Sequence, residues 1–307
     1  MKIVVIGAGG VGGYFGAKLA ASGCDVTFVA RGAHLRAVRA DGLRIRSPGG
    51  DLHLQPVNAV EDVAAVEAAD LVIVAVKLWD TEALAPKLKR LVDDGAAVVS
   101  FQNGTHKDDM LRRHLPAGAL FGGVGYIASV IAEPGVIEHK GQLQRLVFGE
   151  FDGRRTPRVE AFLAACRQAG IDAEISADIA RTIWEKFVFL VGLSGTTASI
   201  RQPIGPIRSH PATRAFLHDV MREVVAVGRA KGVALPADFA DERLAFADTL
   251  PPDMTSSMHH DLQRGNRLEL PWLSGGVASY GVETGVPTPC NRAIADVLAL
   301  YADGTRV

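Results

Sequence analysis

Residues 2–32, KIVVIGAGGVGGYFGAKLAASGCDVTFVARG, decide the fold. Lys2 to Ile6 is a short apolar run of the kind that forms a buried parallel strand. Gly7, Gly9 and Gly12 follow in the spacing G-x-G-x-x-G, and an apolar helical pattern comes next. A second strand, Asp25 to Ala30, ends at Arg31. The motif draws its weight from this order, because the glycines without flanking strands would be a weak signal. The first glycine permits a tight turn, the second lets backbone approach a diphosphate, and the third allows close helix–strand contact. The N–H groups that open the helix, together with its dipole, favour an anion there. The turn Gly7, Ala8, Gly9, Gly10, Val11, Gly12 is therefore the expected cradle of a dinucleotide. The competing reading is a fold of the same kind that has lost its ligand.

The end of the second strand selects the dinucleotide. NAD sites usually carry Asp or Glu there for the ribose hydroxyls. This chain has Arg31, with Arg36 about a helical turn further on. A guanidinium suits a 2′-phosphate and does not imitate a carboxylate acceptor. NADP(H) is the expected cofactor, and the alternative is that Arg31 is a solvated loop cation.

Downstream, Leu43–Ile45 and Leu52–Leu54 flank Pro48-Gly49-Gly50 and read as a hairpin. Val63 to Ala69 reads as a short helix. Residues 71–76, LVIVAV, form a strong buried strand ending at Lys77, and Ala96 to Ser100 another ending in Phe101-Gln102-Asn103-Gly104. Thr81 to Leu91 fits a helix with Pro86 inside it. Ligands of open α/β sheets collect beyond the C-terminal strand ends, which places Lys77 and Asn103 there by chain order. Leu120–Ser129, Gly135–His139 and Leu146–Phe148 read as short strands at a mixed far edge. Arg158 to Ala169 reads as a helix stopped by Gly170. From Asp178 the pattern turns helical to the end, with runs near 211–231, 237–248, 255–264, 270–284 and 289–302. The expectation is an α/β fold: an N-terminal Rossmann-type parallel sheet domain over 1–176 and a second, all-helical C-terminal domain over 177–307. Part of the active site is expected in the cleft between them.

Bulk properties exclude several classes. The 307 residues can hold two cores. Formal charge is −1 with cations scattered, which argues against nucleic acid. No apolar stretch approaches the ~18 residues of a membrane span. The fingerprint starts so early that no leader peptide is expected. Cys24, Cys166 and Cys290 are widely spaced and form no disulfide or metal pattern, so a cytoplasmic protein with reduced thiols is expected, with no metal.

In the helical half, Lys186 sits within Trp184-Glu-Lys-Phe-Val-Phe-Leu190. One reading is a stem that snorkels to solvent. The other is an ammonium in the cleft that stabilises a developing alkoxide and donates its proton. Glu269 either keeps such a lysine charged or is a solvated surface group. Ser257 either caps a helix or donates to a substrate carboxylate. His259-His260-Asp261 is not read as a metal cluster, because adjacent helical histidines diverge and no distant ligand is evident.

Taken together, the fingerprint with Arg31, Lys77, Gln102-Asn103-Gly104, Trp184-x-Lys186 and Ser256-Ser257-Met258-x-x-Asp261 running to Glu269 resemble the ketopantoate reductase family (2-dehydropantoate 2-reductases) over nearly the whole chain. The resemblance implies NADPH-dependent reduction of a 2-oxo acid to a 2-hydroxy acid, a step that feeds pantothenate and coenzyme A synthesis. It implies that Lys186 polarises and protonates the keto oxygen, and that Glu269 binds the substrate hydroxyl and organises the site. Asn103 then lies near the nicotinamide and the reacting centre, Lys77 on the cofactor side, and Ser257 on the substrate.

Three positions depart from the family pattern. Asparagines four and eight residues after the lysine are replaced by Leu190 and Ser194, Gly195 stands where a proline usually follows, and Met254 replaces a third asparagine. An unmet buried polar group costs about 1–3 kcal/mol, so ketopantoate would bind poorly unless other groups compensate. The substrate-binding set is Lys186, Leu190, Ser194, Met254, Ser257 and Glu269. The alternatives are a reductase of a more apolar 2-oxo acid outside pantothenate synthesis, or a non-catalytic NADP(H) sensor or scaffold. A 6-phosphogluconate or 3-hydroxyacyl type dehydrogenase is a third, against which the Ser256–Glu269 segment argues. The apolar C-terminal helices leave a homodimer possible.

Overall fold

The computed structural model describes residues 1–304. The chain divides into two compact units: Met1–Asn103 with Lys107–Thr182, and Gly104–His106 with Ile183 onward.

The first unit is a ten-stranded mixed sheet with helices. Its strands are β1 (Lys2–Ile6), β2 (Asp25–Val29), β3 (Leu43–Arg46), β4 (Leu52–Leu54), β5 (Asn58–Val60), β6 (Leu71–Val74), β7 (Ala97–Ser100), β8 (Leu120–Glu133), β9 (Val136–Gly149) and β10 (Asp172–Ile175). Its helices are α1 (Gly10–Ala21), α2 (Gly32–Asp41), α3 (Thr81–Leu84), α4 (Lys89–Asp93), α5 (His106–Arg112) and α6 (Pro157–Gln168). Strands β5-β2-β1-β6-β7-β8 lie side by side and parallel, the order of a Rossmann sheet. Successive side chains of β1 serve opposite faces. Ile3 and Val5 join one core with Phe15, Phe28 and Ile73; Val4 and Ile6 join another with Val72, Val74 and Leu88. Burial on both faces explains why these strands read as unbroken apolar runs.

The far edge differs from the sequence expectation. The three short strands expected between 120 and 148 are two 14-residue strands, β8 and β9, paired antiparallel with register shifts at Ile127/Ala128 and Ile131/Glu133. Pairing runs on either side of the exposed Gly141 to Leu143, which lie in the first register shift between the Ile127–Gln144 and Ala128–Lys140 pairs, so polarity there marks a bulge and not the end of the strand. Two further readings are shortened. Residues 63–69 contain only a 3₁₀ turn, Val63–Ala65. The 81–91 helix is split into α3, a 3₁₀ turn at Ala85–Leu88 and α4, because Pro86 lacks the N–H a continuous helix needs.

The second unit is helical: most of α7 (Ile179–Ile200), then α8 (Ile204–Ser209), α9 (Pro211–Ala230), α10 (Phe239–Asp248), α11 (Ser257–Gln263), α12 (Ser274–Thr284) and α13 (Pro289–Leu298). Phe187, Val188 and Val191 of α7 pack with Leu217, Val220, Val224 of α9 and Val277 of α12 in one core. Proline opens α9 and α13, where its missing N–H costs nothing. Glu223 of α9 accepts the Cys290 and Asn291 backbone N–H groups at 2.7 and 2.9 Å, so a carboxylate from another helix caps α13. Among the described residues no helix is long and apolar enough to cross a membrane.

Candidate active site

In the first unit, the strand order reverses at β1 and β6, and the loops leaving their C-terminal ends form the crevice where such sheets bind ligands. Gly7 turns there with φ +96°, its N–H donating to the Val29 carbonyl at 3.0 Å. A Cβ on Gly7 would lie 2.7 Å from the Val76 nitrogen, and one on Gly12 only 2.2 Å from the Gly7 carbonyl oxygen. These two positions exclude any side chain. Gly9 is different, since a Cβ there would meet nothing within 4 Å. It is the N-cap of α1, with no side-chain cap and no acid in the first helical turn. Open space at Gly9 beside uncapped helical N–H groups suits an anion such as a diphosphate.

Three further side chains reach the same edge. Arg31 ends β2 as the N-cap of α2 and is 67% exposed; its Nη2 donates to Asp80 Oδ2 at 2.8 Å. Lys77 follows β6, half-buried, with Nζ 5.6 Å from the centre of the Trp79 ring. Asn103 follows β7, half-buried, ahead of Gly104 at φ +91°. The structure thus brings the Gly7–Gly12 turn, Arg31, Lys77 and Asn103 to one end of the sheet.

Gln102 organises this edge, a role that sequence reasoning did not assign to it. Its buried amide donates from Nε2 to the Val76 carbonyl and to Thr81 Oγ1, both at 2.8 Å. Its Oε1 accepts from Ser100 Oγ at 2.9 Å. One side chain therefore ties the loop carrying Lys77 to the loop carrying Asn103. Beneath it, Lys107 is 1% exposed and donates to the Ser100 carbonyl at 3.0 Å and to Asp108 at 3.0 Å. Burial pushes the Asp108 carboxyl up, and the Lys107 ammonium opposes that shift. The sequence offers Gln102 only as a member of Gln102-Asn103-Gly104, just past an apolar strand.

In the second unit, Lys186, Leu190 and Ser194 recur every four residues along α7 and so share one side of it. Lys186 is half-buried, flanked by buried Trp184 and Phe187, whose rings meet edge to face at 5.6 Å. Leu190 and Met254 pack partly buried against the helical core. Ser194 is 0% exposed, and its Oγ has no hydrogen-bond partner among the described residues. The cap of α11 is Ser256, whose Oγ accepts from the His259 N–H at 3.1 Å; Ser257 is exposed in the first turn and is not the cap. Ser256 Oγ also lies 2.9 Å from Thr197 Oγ1, and His259 Nδ1 donates to the Thr197 carbonyl at 2.7 Å. These bonds pin the start of α11, with Met254 and Ser257 around it, to α7 one turn beyond Ser194. Glu269 is 8% exposed, and its carbonyl accepts from the Trp272 and Leu273 N–H groups, fixing a tight turn.

Other chemistry lies outside this set. A cavity of about 300 Å³ lined by Tyr14, Lys18, Ser22 and Gln168 sits by the C-terminal half of α1, away from the glycine turn. Burial pushes the Cys166 thiol up to about 12, which suits packing and not reactivity. Among the described residues no group of three His, Cys, Asp or Glu could hold a metal.

A parallel sheet with an uncapped glycine turn at its switch point, followed by a helical unit, is an architecture of nucleotide-dependent oxidoreductases. Residues 3–153 match the family model described as ketopantoate reductase PanE/ApbA, and residues 178–302 match its C-terminal counterpart. The chain is 32% identical over 301 residues to 2-dehydropantoate 2-reductase of Halobacterium salinarum, covering 98% of each. It is 31% identical over 305 residues to the uncharacterized oxidoreductase YkpB of Bacillus subtilis, covering 98% of this chain and 99% of that one. A crystal structure of 2-dehydropantoate 2-reductase from Geobacter metallireducens superposes with a TM-score of 0.90 at 31% identity, covering 98% and 99% of the two chains. The chain belongs to the ketopantoate reductase PanE/ApbA family.

Proposed function

We propose that this chain uses NADPH to reduce a 2-oxo acid to the 2-hydroxy acid, with 2-dehydropantoate the first substrate to test. The observation that carries the reading is the open, uncapped turn at Gly9 beside an arginine at the end of β2. Gly7, Ala8, Gly9, Gly10, Val11 and Gly12 would hold the diphosphate, Arg31 the 2′-phosphate, and Lys77 and Asn103 the rest of the cofactor edge. NADPH, when bound, supplies the hydride. Lys186 donates a hydrogen bond and then a proton to the keto oxygen as negative charge develops there. Glu269 accepts from the substrate hydroxyl and holds the lysine charged, and Ser257, not engaged as a helix cap, donates to the substrate carboxylate.

The side of α7 that carries the lysine also favours a second substrate. Leu190 and Met254 supply apolar surface where the family pattern has amides, and the Ser194 hydroxyl is buried. A branched, less hydroxylated 2-oxo acid loses less there than 2-dehydropantoate. Nicotinamide absorbance followed with a panel of 2-oxo acids, NADPH and NADH run side by side, tests both readings. Turnover of no acid by protein that binds NADPH tightly would overturn the assignment.

A further inference from the structure

Arg31 and Asp80 stand on either side of β1. Strands β2 and β6 flank β1, so the loops that follow them start about 10 Å apart, two strand spacings. Arg31 Nη2 meets Asp80 Oδ2 at 2.8 Å, joining the segment after β2 to the segment after β6. The contact is single and partly solvated, with Arg31 67% and Asp80 34% exposed. Exposed pairs of this kind are weak and open readily.

Resting on the NADP(H) reading, we infer that Asp80 is a specificity residue that acts through Arg31 and lowers the preference for NADPH over NADH. A 2′-phosphate must share the guanidinium with a carboxylate already bound to it, and the two anions then repel across a few ångströms. NADH brings no phosphate, so Arg31 keeps its partner and is not left as an uncompensated cation. The carboxylate therefore handicaps only the phosphorylated cofactor.

Asp80→Asn separates charge from shape. The amide oxygen still accepts from Arg31, so the guanidinium keeps its orientation while the repulsion disappears. Titration of the full-length protein with NADPH and with NADH, followed by nucleotide fluorescence, should show NADPH bound about 2–5-fold tighter, a gain within reach of one surface charge. NADH affinity should stay within about two-fold, and the difference should shrink as salt is raised. Asp80→Glu, which restores the charge, should return the wild-type ratio. An unchanged or weakened NADPH affinity, or equal shifts for both nucleotides, would overturn the inference while leaving the cofactor assignment standing. Wild-type protein that binds neither nucleotide, or binds NADH better and is indifferent to Arg31→Ala, would overturn the cofactor assignment and this inference with it.

Discussion

Replacing Gln102 by leucine is the sharpest test of how the cofactor edge is held. The two side chains are similar in size, so the change removes hydrogen bonds with little loss of volume. Gln102 makes three side-chain bonds, to the Val76 carbonyl, Thr81 Oγ1 and Ser100 Oγ. Ser100 and Thr81 are 0% exposed, so water cannot replace the lost partners. Each buried group left unmet costs about 1–3 kcal/mol, but the serine and threonine hydroxyls can rotate toward backbone acceptors. Counting one full penalty at the Val76 carbonyl and partial ones at the hydroxyls gives about 3 kcal/mol. For a unit of this size that lowers Tm by about 6–12 °C. Urea denaturation monitored by tryptophan fluorescence measures the stability, and NADPH titration of the folded variant measures the site. NADPH affinity should fall as well, because the loops bearing Lys77 and Asn103 lose their common tie. A stability loss under about 0.5 kcal/mol, the range of an ordinary surface substitution, would refute the reasoning.

Lys186→Ala should cut kcat by about 10²–10⁴-fold while leaving NADPH affinity within about two-fold, and an equal loss of both would show that its role is structural. Glu223→Ala should destabilise the protein by about 1–2 kcal/mol, as loss of a helix cap does, with protection of the Cys290 and Asn291 amides lost first in hydrogen exchange. Acid stability should depend on Glu150. Burial raises its carboxyl, but two hydrogen bonds from Arg158 and one from Thr156 outweigh that and hold it below the ordinary value of 4.5. The stabilisation is therefore complete above pH 4.5 and disappears as pH falls through the depressed value. The stability gap between wild type and Glu150→Gln should be flat near neutrality and narrow below that point, and a gap that widens in acid would contradict the sign.

Local chemistry made much of this protein legible from its residues. The glycine spacing, the apolar runs of β1, β6 and β7, Pro48-Gly49-Gly50 in its hairpin and Arg31 at a strand end are each dictated within a few positions of chain, by sterics, burial on two faces and charge. The lysine helix was likewise legible from its apolar pattern, and the Ser256–Glu269 segment from its resemblance to the family pattern. Tertiary structure decided whatever depends on a partner distant in sequence. The length of β8 and β9 follows from their pairing with each other, which the polar stretch after His139 concealed. Ser256 and not Ser257 became the cap of α11 because Thr197, 59 residues away, engages its hydroxyl. Gln102, Asp80 and Glu223 are ordinary polar residues along the chain. Each acquires its partners only when folding sets donors and acceptors from distant parts of the chain within about 3 Å, a condition that sequence spacing does not encode.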